Sequence, residues 1–253
     1  MGRYKLSFQL YSARQFPPLE PVLEGLAEIG YDAVEPFLPN YGDDPKGFRR
    51  KIDAVGLSCL GFHMPLTGLT DEPDRFIDIA QTIGAKVMIP PWIPPEERDT
   101  KADGWKRLGE ALGKGAAKAR AAGLRVAWHN HDFEFSKLDD GSRPIDHIFA
   151  AAGPDVGFEI DIAWVVRGGA DPAEEVKRHA DRILVIQPKD TAPIGTKVED
   201  GWTATGDGII DWKALWPLFL KTKADHMAVE HDNPSDWRVF AKRSYDFLKR
   251  LDP

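Results

Sequence analysis

Cysteine is nearly absent from this chain, because Cys59 is the only one among 253 residues. A lone cysteine forms no disulfide within the chain, and a zinc site built on several thiolates is also excluded. Cys59 lies in the short apolar segment 56–61, which is typical of a buried structural thiol. Nothing in the composition therefore requires an oxidising compartment.

Long apolar runs and basic runs are absent as well. No stretch approaches the roughly 20 apolar residues of a membrane span, and no apolar segment follows the basic N-terminal residues as it would in a secretory signal. The net charge is -7, and no run of lysine and arginine offers nucleic acid a basic patch. We therefore expect a cytoplasmic protein without a membrane or nucleic-acid partner.

The length and composition fit one globular domain. Hydrophobic residues make up 42% of the chain and charged residues 29%, which is typical of a protein with a sizeable buried core. A length of 253 residues is common for a one-domain α/β barrel and short for two domains of ordinary size. We predict a single domain over residues 1–253.

Short β-rich segments alternate with longer helical patterns along the chain. Apolar side chains recur on one face of residues 19–29, for example, and Gly30 follows as a C-terminal glycine. A glycine ends a helical pattern in the same way at positions 56, 84, 123 and 153. Strands are predicted at 6–11, 32–36, 57–63, 86–89, 124–129, 156–162, 183–187 and 227–230, and helices at 19–29, 45–55, 72–83, 101–122, 145–152, 171–179, 211–222 and 237–251.

This alternation makes eight βα units, which imply a parallel sheet and favour its closure into a (β/α)₈ TIM barrel. The alternative is an open, doubly wound sheet, which usually carries a glycine-rich phosphate loop after an early strand. The first two βα loops, residues 12–16 and 37–44, show no such loop. The sequence therefore favours the barrel, whose active site lies at the C-terminal ends of its strands.

Polar side chains occur where strands five to eight are predicted to end. Because side chains alternate between the two faces of a strand, one polar residue from each strand can point into the barrel. Four consecutive strands would then present an imidazole, two carboxylates and an amide oxygen to one point. Such a set suits Mn²⁺, Co²⁺, Fe²⁺ or Zn²⁺ better than Ca²⁺, with Mg²⁺ as a further candidate. The four predicted ligands are His129, Asp161, Gln187 and Glu230.

Several segments carry motifs that appear in the same order in a known family. The most specific are HNHDFEF at residues 129–135 and GDGIIDW at residues 206–212. The chain resembles the sugar phosphate isomerase/epimerase group of xylose isomerase-like TIM barrels, which includes inosose dehydratase and endonuclease IV relatives. The remaining segments that carry the resemblance are 31–35, 160–165, 188–190 and 229–232.

The resemblance implies a metal held by residues from strands five to eight, at the positions of the four ligands predicted above. Two departures from the family pattern are visible. Family epimerases pair one glutamate on strand five with another on strand eight, and His129 replaces the first of them here. Gln187 replaces the histidine of strand seven, and a neutral amide oxygen is a weaker ligand than an imidazole.

Proton transfer needs an acid or base beside the metal, and histidine suits this role because its pKa is near neutrality. A structural ion pair between Lys189 and Asp190 is an alternative to a catalytic Lys189. The candidates for catalysis are Glu230, His131, His63 and Lys189. The candidates for binding the substrate, some of which could equally belong to the core, are Gln9, Glu35, Trp92, Trp164 and Arg167.

The resemblance implies an enzyme, a metal-assisted isomerase or epimerase that removes a proton next to the carbonyl of a sugar or sugar derivative. The missing glutamate pair favours an alternative, a lyase or dehydratase that acts on a keto-sugar, keto-inositol or 3-keto-glycoside. A non-catalytic sugar-binding barrel is a third hypothesis. The resemblance also includes endonuclease IV relatives, but their activity uses three clustered metals and more histidine ligands than this arrangement offers, and the acidic balance of the chain argues against it as well. The partner is a small carbohydrate, and a homo-oligomer is allowed.

Overall fold

A computed structural model describes residues 2–193 and 195–252 of the chain. Its main sheet is a nearly closed barrel of parallel strands, which confirms the predicted fold. The barrel strands are β1 (Lys5–Gln9), β2 (Ala33–Glu35), β3 (Ser58–Cys59 and Gly61–His63), β4 (Val87–Ile89), β5 (Arg125–His129), β6 (Val156–Asp161), β7 (Ile183–Gln187) and β8 (His226–Val229).

Strand β3 completes the barrel in two segments separated by Leu60. The first segment pairs with β2, and the second pairs with β4. The backbone N–H of His63 also donates to the carbonyl of Pro36 beyond the end of β2 (2.8 Å). This connection places His63 at the same C-terminal edge as the ends of the other strands.

Helices follow the strands, and most begin and end where the sequence predicts. Aspartate side chains accept backbone N–H groups at the starts of five of them. The five glycines predicted to end helices all have positive φ, which a residue without a Cβ adopts readily. The helices are α1 (Leu19–Ile29), α2 (Leu38–Tyr41), α3 (Pro45–Ala54), α4 (Leu66–Thr70), α5 (Pro73–Ile83), α6 (Ala102–Ala121), α7 (Pro144–Ala152), α8 (Ile162–Arg167), α9 (Pro172–His179), α10 (Trp212–Phe219) and α11 (Trp237–Leu251).

The buried side chains form two apolar clusters, as expected for a barrel surrounded by helices. The larger cluster includes Trp128 and Phe158, which point from the sheet toward the helices. The smaller cluster fills the barrel with Val87, Ile89, Ala127, Val185 and Ala228. Within the described residues, no helix combines the length and apolar character needed to cross a membrane.

The period of two along a strand connects this inner cluster to polar residues at the barrel's C-terminal edge. His129 lies two positions after Ala127 on β5, and Gln187 lies two positions after Val185 on β7. Apolar side chains therefore occupy the barrel interior, and polar side chains of the same strand faces occupy its C-terminal end.

Three short helices, α2, α4 and α8, lie in segments that the sequence does not predict as helical. Helix α8 begins directly after β6, because the Asp161 side chain accepts the backbone N–H of Trp164 (3.0 Å). Ile162, predicted as the end of strand six, therefore belongs to this helix. An antiparallel ladder of Asp190–Thr191 and Trp202–Thr203 was also not predicted, because two-residue strands carry no detectable periodicity.

Candidate metal and proton-transfer site

Three of the four predicted metal ligands converge at the C-terminal edge of the barrel. His129 ends β5, Asp161 ends β6 and Glu230 follows β8, and their ligand atoms lie within 4.8 Å of one another. All three residues are buried. Gln187 ends β7, and its amide lies 2.7 Å from Asp161 Oδ2 and 3.1 Å from Glu230 Oε2 when its NH₂ group donates to both.

The ammonium group of Lys189 lies in the same cluster and is fully buried. Its Nζ is 2.5 Å from Asp232 Oδ1, 3.2 Å from Glu230 Oε2 and 3.8 Å from Asp161 Oδ2. Burial alone lowers the pKa of a lysine, but the carboxylates of Asp232 and Glu230 raise the pKa of Lys189 above its usual value. Lys189 is therefore a fixed positive charge, and its ion-pair partners are these carboxylates rather than Asp190.

Burial also changes the protonation of the proposed acid–base groups. It raises the pKa of Glu230 to about 6, although the Lys189 ammonium acts in the opposite direction. It lowers the pKa of both His129 and His131 well below that of a free imidazole. Both imidazoles are therefore neutral at neutral pH, which is the form that binds a metal or accepts a proton.

A second group of buried polar side chains adjoins the first. The Nε2 atom of His63 lies 2.8 Å from Glu159 Oε2 and 3.3 Å from Glu35 Oε1. Gln9 donates to Glu35 Oε1 (3.0 Å), and Glu159 Oε2 lies 3.2 Å from His129 Nδ1. Although burial alone lowers it, the pKa of His63 is raised to about 10, because the Glu159 carboxylate lies beside the ring. His63 is therefore an imidazolium ion at neutral pH.

A cavity of about 500 Å³ opens onto both polar groups. His63, His129 and Glu230 line its polar side. The His131 ring lies among aromatic residues, with its centre 4.9 Å from that of Trp92 and 5.1 Å from that of Trp164. The cavity thus combines one cationic group, the carboxylates of Glu230, Asp132 and Asp232, and aromatic walls, which suits a ligand with hydroxyl groups and exposed C–H faces.

The loop after β5 is held by a buried glutamate of the HNHDFEF motif. Glu134 accepts the indole N–H of Trp128 (3.0 Å) and the backbone N–H of His131 (2.8 Å). Burial raises the pKa of Glu134 to about 8. These two hydrogen bonds fix the turn in which both histidines of the motif, His129 and His131, line the cavity.

Asp190 holds the loop that contains the GDG motif. Its carboxylate accepts the indole N–H of Trp212 (2.7 Å) and the backbone N–H groups of Thr191 (2.8 Å) and Gly206 (2.9 Å). A Cβ atom at Gly208 would lie 2.1 Å from Asp190 Oδ1, so a side chain at this position is excluded by close approach. The GDG motif therefore wraps around Asp190, which leaves Lys189 free to point into the barrel.

The structure places the predicted substrate-binding residues in three environments. Trp92 and Trp164 line the cavity. Gln9 and Glu35 are fully buried and connect to His63 instead of lining the cavity. Arg167 lies beside a neighbouring loop, where its guanidinium group covers the Trp202 ring and donates to the carbonyl of Asp200 (2.7 Å).

Two residues of the site were not predicted from the sequence, although a signal for each was present. Glu159 lies two positions before Asp161, and Asp232 lies two positions after Glu230. The period of two therefore places each on the same strand face as a predicted ligand. Their partners, His63 and Lys189, come from other strands and could not be assigned before the barrel geometry was known.

The donor set at the barrel edge fits a divalent cation. An imidazole, two carboxylates and an amide are donors that Mn²⁺, Co²⁺, Fe²⁺ and Zn²⁺ accept. Asp161, Glu230 and Asp232 contribute three carboxylates, against which Lys189 is one positive charge, so a divalent ion balances the ionised cluster. In one orientation of its amide, Gln187 donates to the same carboxylates through its NH₂ group. In the orientation turned by 180°, its oxygen faces them and can serve as a ligand.

The comparison with protein families agrees with the fold. The model of the xylose isomerase-like TIM barrel matches residues 23–251. The inosose dehydratase of Lacticaseibacillus casei is 27% identical to this chain over 267 aligned positions. The match covers 90% of this chain and 88% of the dehydratase.

Solved structures with a low sequence identity share the architecture. A sugar phosphate isomerase/epimerase from Parabacteroides distasonis has a TM-score of 0.84 at 20% identity, over 98% of this chain and 94% of that chain. The IolI protein, solved with a bound zinc atom, has a TM-score of 0.74 at 18% identity, over 98% of this chain and 96% of that chain. Because the family model spans most of its length, this chain belongs to the xylose isomerase-like TIM barrel family.

Proposed function

We propose that this chain is a metal-assisted isomerase or epimerase, which removes a proton from the carbon next to a carbonyl of a sugar or sugar derivative. The supporting observation is the convergence of His129, Asp161 and Glu230 within 4.8 Å, beside a cavity that His129 and Glu230 line. The names of the relatives refer to inosose and to sugar phosphates, which supports a substrate rich in hydroxyl groups.

The barrel edge would hold a divalent ion, which when bound supplies polarisation of the substrate carbonyl. Lys189 opposes the effect of burial on the pKa of Asp232 and Glu230, because its ammonium group is fixed between these two carboxylates. His129 is neutral, as a metal ligand must be, because burial lowers its pKa. The four proposed ligands are His129, Asp161, Gln187 and Glu230.

Glu230 is the proposed proton acceptor. It lines the cavity, where a carboxylate can take a proton from the substrate and return it. His63 is the proposed proton donor, because it lines the same cavity as an imidazolium ion held by Glu35 and Glu159. His131, whose ring lies between those of Trp92 and Trp164, is proposed to hydrogen-bond a substrate hydroxyl.

A lyase or dehydratase is the second candidate, and two observations favour it. The alignment with the inosose dehydratase covers 90% of this chain, at 27% identity. The site also contains one carboxylate base and one cationic acid, Glu230 and His63, rather than a pair of catalytic glutamates. Elimination from a keto-sugar, keto-inositol or 3-keto-glycoside needs one group to take the proton and another to protonate the leaving oxygen.

Proton exchange with solvent tests the proposed function and separates the two outcomes. The protein is incubated in D₂O with Mn²⁺ and a panel of keto-sugars and keto-inositols, and the products are analysed by NMR and mass spectrometry. Deuterium in a sugar of unchanged composition identifies an isomerase or epimerase, whereas loss of water or aglycone identifies a lyase.

We expect Glu230→Gln to slow exchange by about 100-fold or more, because it removes the proton acceptor. Glu175→Gln, which changes a buried carboxylate in helix α9 that does not line the cavity, serves as the matched control and should retain exchange. Equal exchange in Glu230→Gln and wild type would refute this role. Sugar binding without exchange or elimination on any member of the panel would indicate a non-catalytic sugar-binding barrel.

A further inference from the structure

A second cavity of about 390 Å³ adjoins the catalytic cavity. The two cavities share part of their walls, at Phe37, His63, Pro91 and Trp92. The rest of the second cavity comes from the loops after β2, β3 and β4, and it is mainly apolar. Its side chains include Leu38, Met64, Pro65, Leu66, Ile93 and Pro94.

Trp92 forms the boundary between the cavities, and Arg98 packs against its ring. The Arg98 guanidinium carbon lies 4.4 Å from the Trp92 ring centre, and Arg98 Nε donates to the carbonyl of Ile93 (3.1 Å). Even so, 44% of Trp92 and 37% of Leu38 are exposed, both of them at the second cavity. Exposed apolar side chains beside a polar site are characteristic of a ligand-binding surface.

The charge of the walls argues against a phosphate group in either cavity. Among residues 2–193 and 195–252, no lysine or arginine lines them, and the charged residues in the second cavity other than His63 are limited to Glu97. Arg98 directs its guanidinium group onto the Phe133 ring, 3.7 Å from its centre. A phosphate dianion would therefore lie near the carboxylates of Asp132, Asp232 and Glu97, and the one cationic side chain of the walls, His63, is already paired with Glu35 and Glu159.

We propose that the substrate is a keto-sugar that carries an apolar group, an aromatic or alkyl aglycone, and that this group occupies the second cavity. The sugar ring then lies beside Glu230 and His63, and the aglycone passes Trp92 into the space bounded by Leu38 and Leu66. This inference rests on the proposed function and names the substrate class of that site. Burial of a phenyl-sized group strengthens binding by about 10- to 100-fold.

The test compares keto-glycosides with the same sugar and either a methyl or a phenyl aglycone, using the Mn²⁺-loaded full chain. Proton exchange or product formation gives KM for each, and isothermal titration gives Kd. We expect KM and Kd to be about 10- to 100-fold lower for the phenyl compound. A keto-sugar phosphate is measured in parallel and is expected to bind more weakly than the phenyl compound.

Leu38→Gln is the diagnostic variant, and Leu220→Gln is its control, because Leu220 is similarly exposed (43%) and lies outside both cavities. Leu38→Gln should raise KM and Kd for the phenyl compound several-fold more than for the methyl compound, and Leu220→Gln should change neither. Turnover of both compounds with equal KM, or a preference for the sugar phosphate, would overturn the substrate class and leave the proposed function intact. Tight phenyl binding without any exchange or product would instead overturn the proposed function and support the binding site.

Discussion

At the scale of single residues, Lys189 determines the electrostatics of the site. Its ammonium group is buried and lies within 4 Å of three carboxylates, those of Asp161, Glu230 and Asp232. A buried charge that loses its partner is far less stable than one that keeps it, because the interior cannot replace the lost solvation. The cluster therefore depends on Lys189 for its stability when no metal is bound.

We expect Lys189→Met to lower the free energy of unfolding of the metal-free protein by about 3–5 kcal/mol, because it leaves buried carboxylates unpaired. Urea unfolding in the presence of a chelator measures this loss. Lys213→Met, which changes an exposed lysine on helix α10, is the control and should have little effect. A similarly small change in the free energy of unfolding of both variants would show that Lys189 does not stabilise the buried carboxylates.

The candidate ligands could be predicted from the sequence because each follows a strand and obeys the alternation of its faces. His129, Asp161 and Glu230 were found in this way, and the structure brings them together. The pairing of His63 with Glu159 could not be predicted in this way, because the two residues are 96 positions apart. Their contact depends on the register between non-neighbouring strands, which the local pattern does not contain.

At the scale of elements, the loop after β7 is organised around one carboxylate. Asp190 accepts hydrogen bonds from its own loop and from the start of α10, through Gly206 and Trp212. Charge-assisted hydrogen bonds to a buried carboxylate are stronger than neutral ones. This loop is therefore held rigidly beside Lys189, although it has little regular secondary structure.

We expect Asp190→Asn to lower the free energy of unfolding by about 2–4 kcal/mol, because the new NH₂ group faces N–H donors and leaves them without an acceptor. Denaturant unfolding checks this value, and hydrogen exchange should show faster opening of residues 204–212. Asp207→Asn is the control. This substitution lies on the same loop, at a carboxylate paired with the partly exposed Arg243. An unchanged exchange rate in Asp190→Asn would contradict the role given to this residue.

Helices α7 and α9 are joined by an ion pair whose strength depends on pH. Arg143 donates to Glu175 Oε1 (2.7 Å), and Glu175 is buried. Burial acts to raise the pKa of Glu175, but the nearby His179 ring (3.5 Å) and the hydrogen bonds from Arg143 lower that pKa to about 2. Since the unfolded value is about 4.3, Glu175 stabilises the folded state above that pH, and the contribution is lost as the pH falls toward 2.

As the pH falls from about 5 to about 2, the free energy of unfolding of the wild type should fall by about 2–3 kcal/mol more than that of Glu175→Gln, which has no carboxylate to protonate at this position. Thermal or urea unfolding across this range measures the slope. Glu174→Gln is a matched control, because its partner Lys177 and Glu174 itself are mostly exposed to solvent. If the free energy of unfolding depends on pH with the same slope in both variants, the ion pair does not couple these helices.

At the scale of the whole molecule, the sequence predicted the eight barrel strands and the main helices, because glycines mark the helix ends and apolar periodicity marks the faces. The short helices α2, α4 and α8 escaped prediction, since one or two turns provide too few positions for a period. The second cavity is formed by loops of three different βα units, and its walls could not be recognised from any one of them. A cytoplasmic location and a homo-oligomer stay predictions.

The central claim is that the ends of β5 to β8 form one divalent-metal site. Isothermal titration of Mn²⁺ into the chelator-treated full chain tests it most directly, with Asp161→Asn as the diagnostic variant and Asp207→Asn as the control. Wild type and the control should each bind one Mn²⁺ per chain, and Asp161→Asn should bind at least about tenfold more weakly, because it replaces an anionic ligand by a neutral one. Equal Mn²⁺ affinity in all three proteins, or no binding by wild type, would contradict the account.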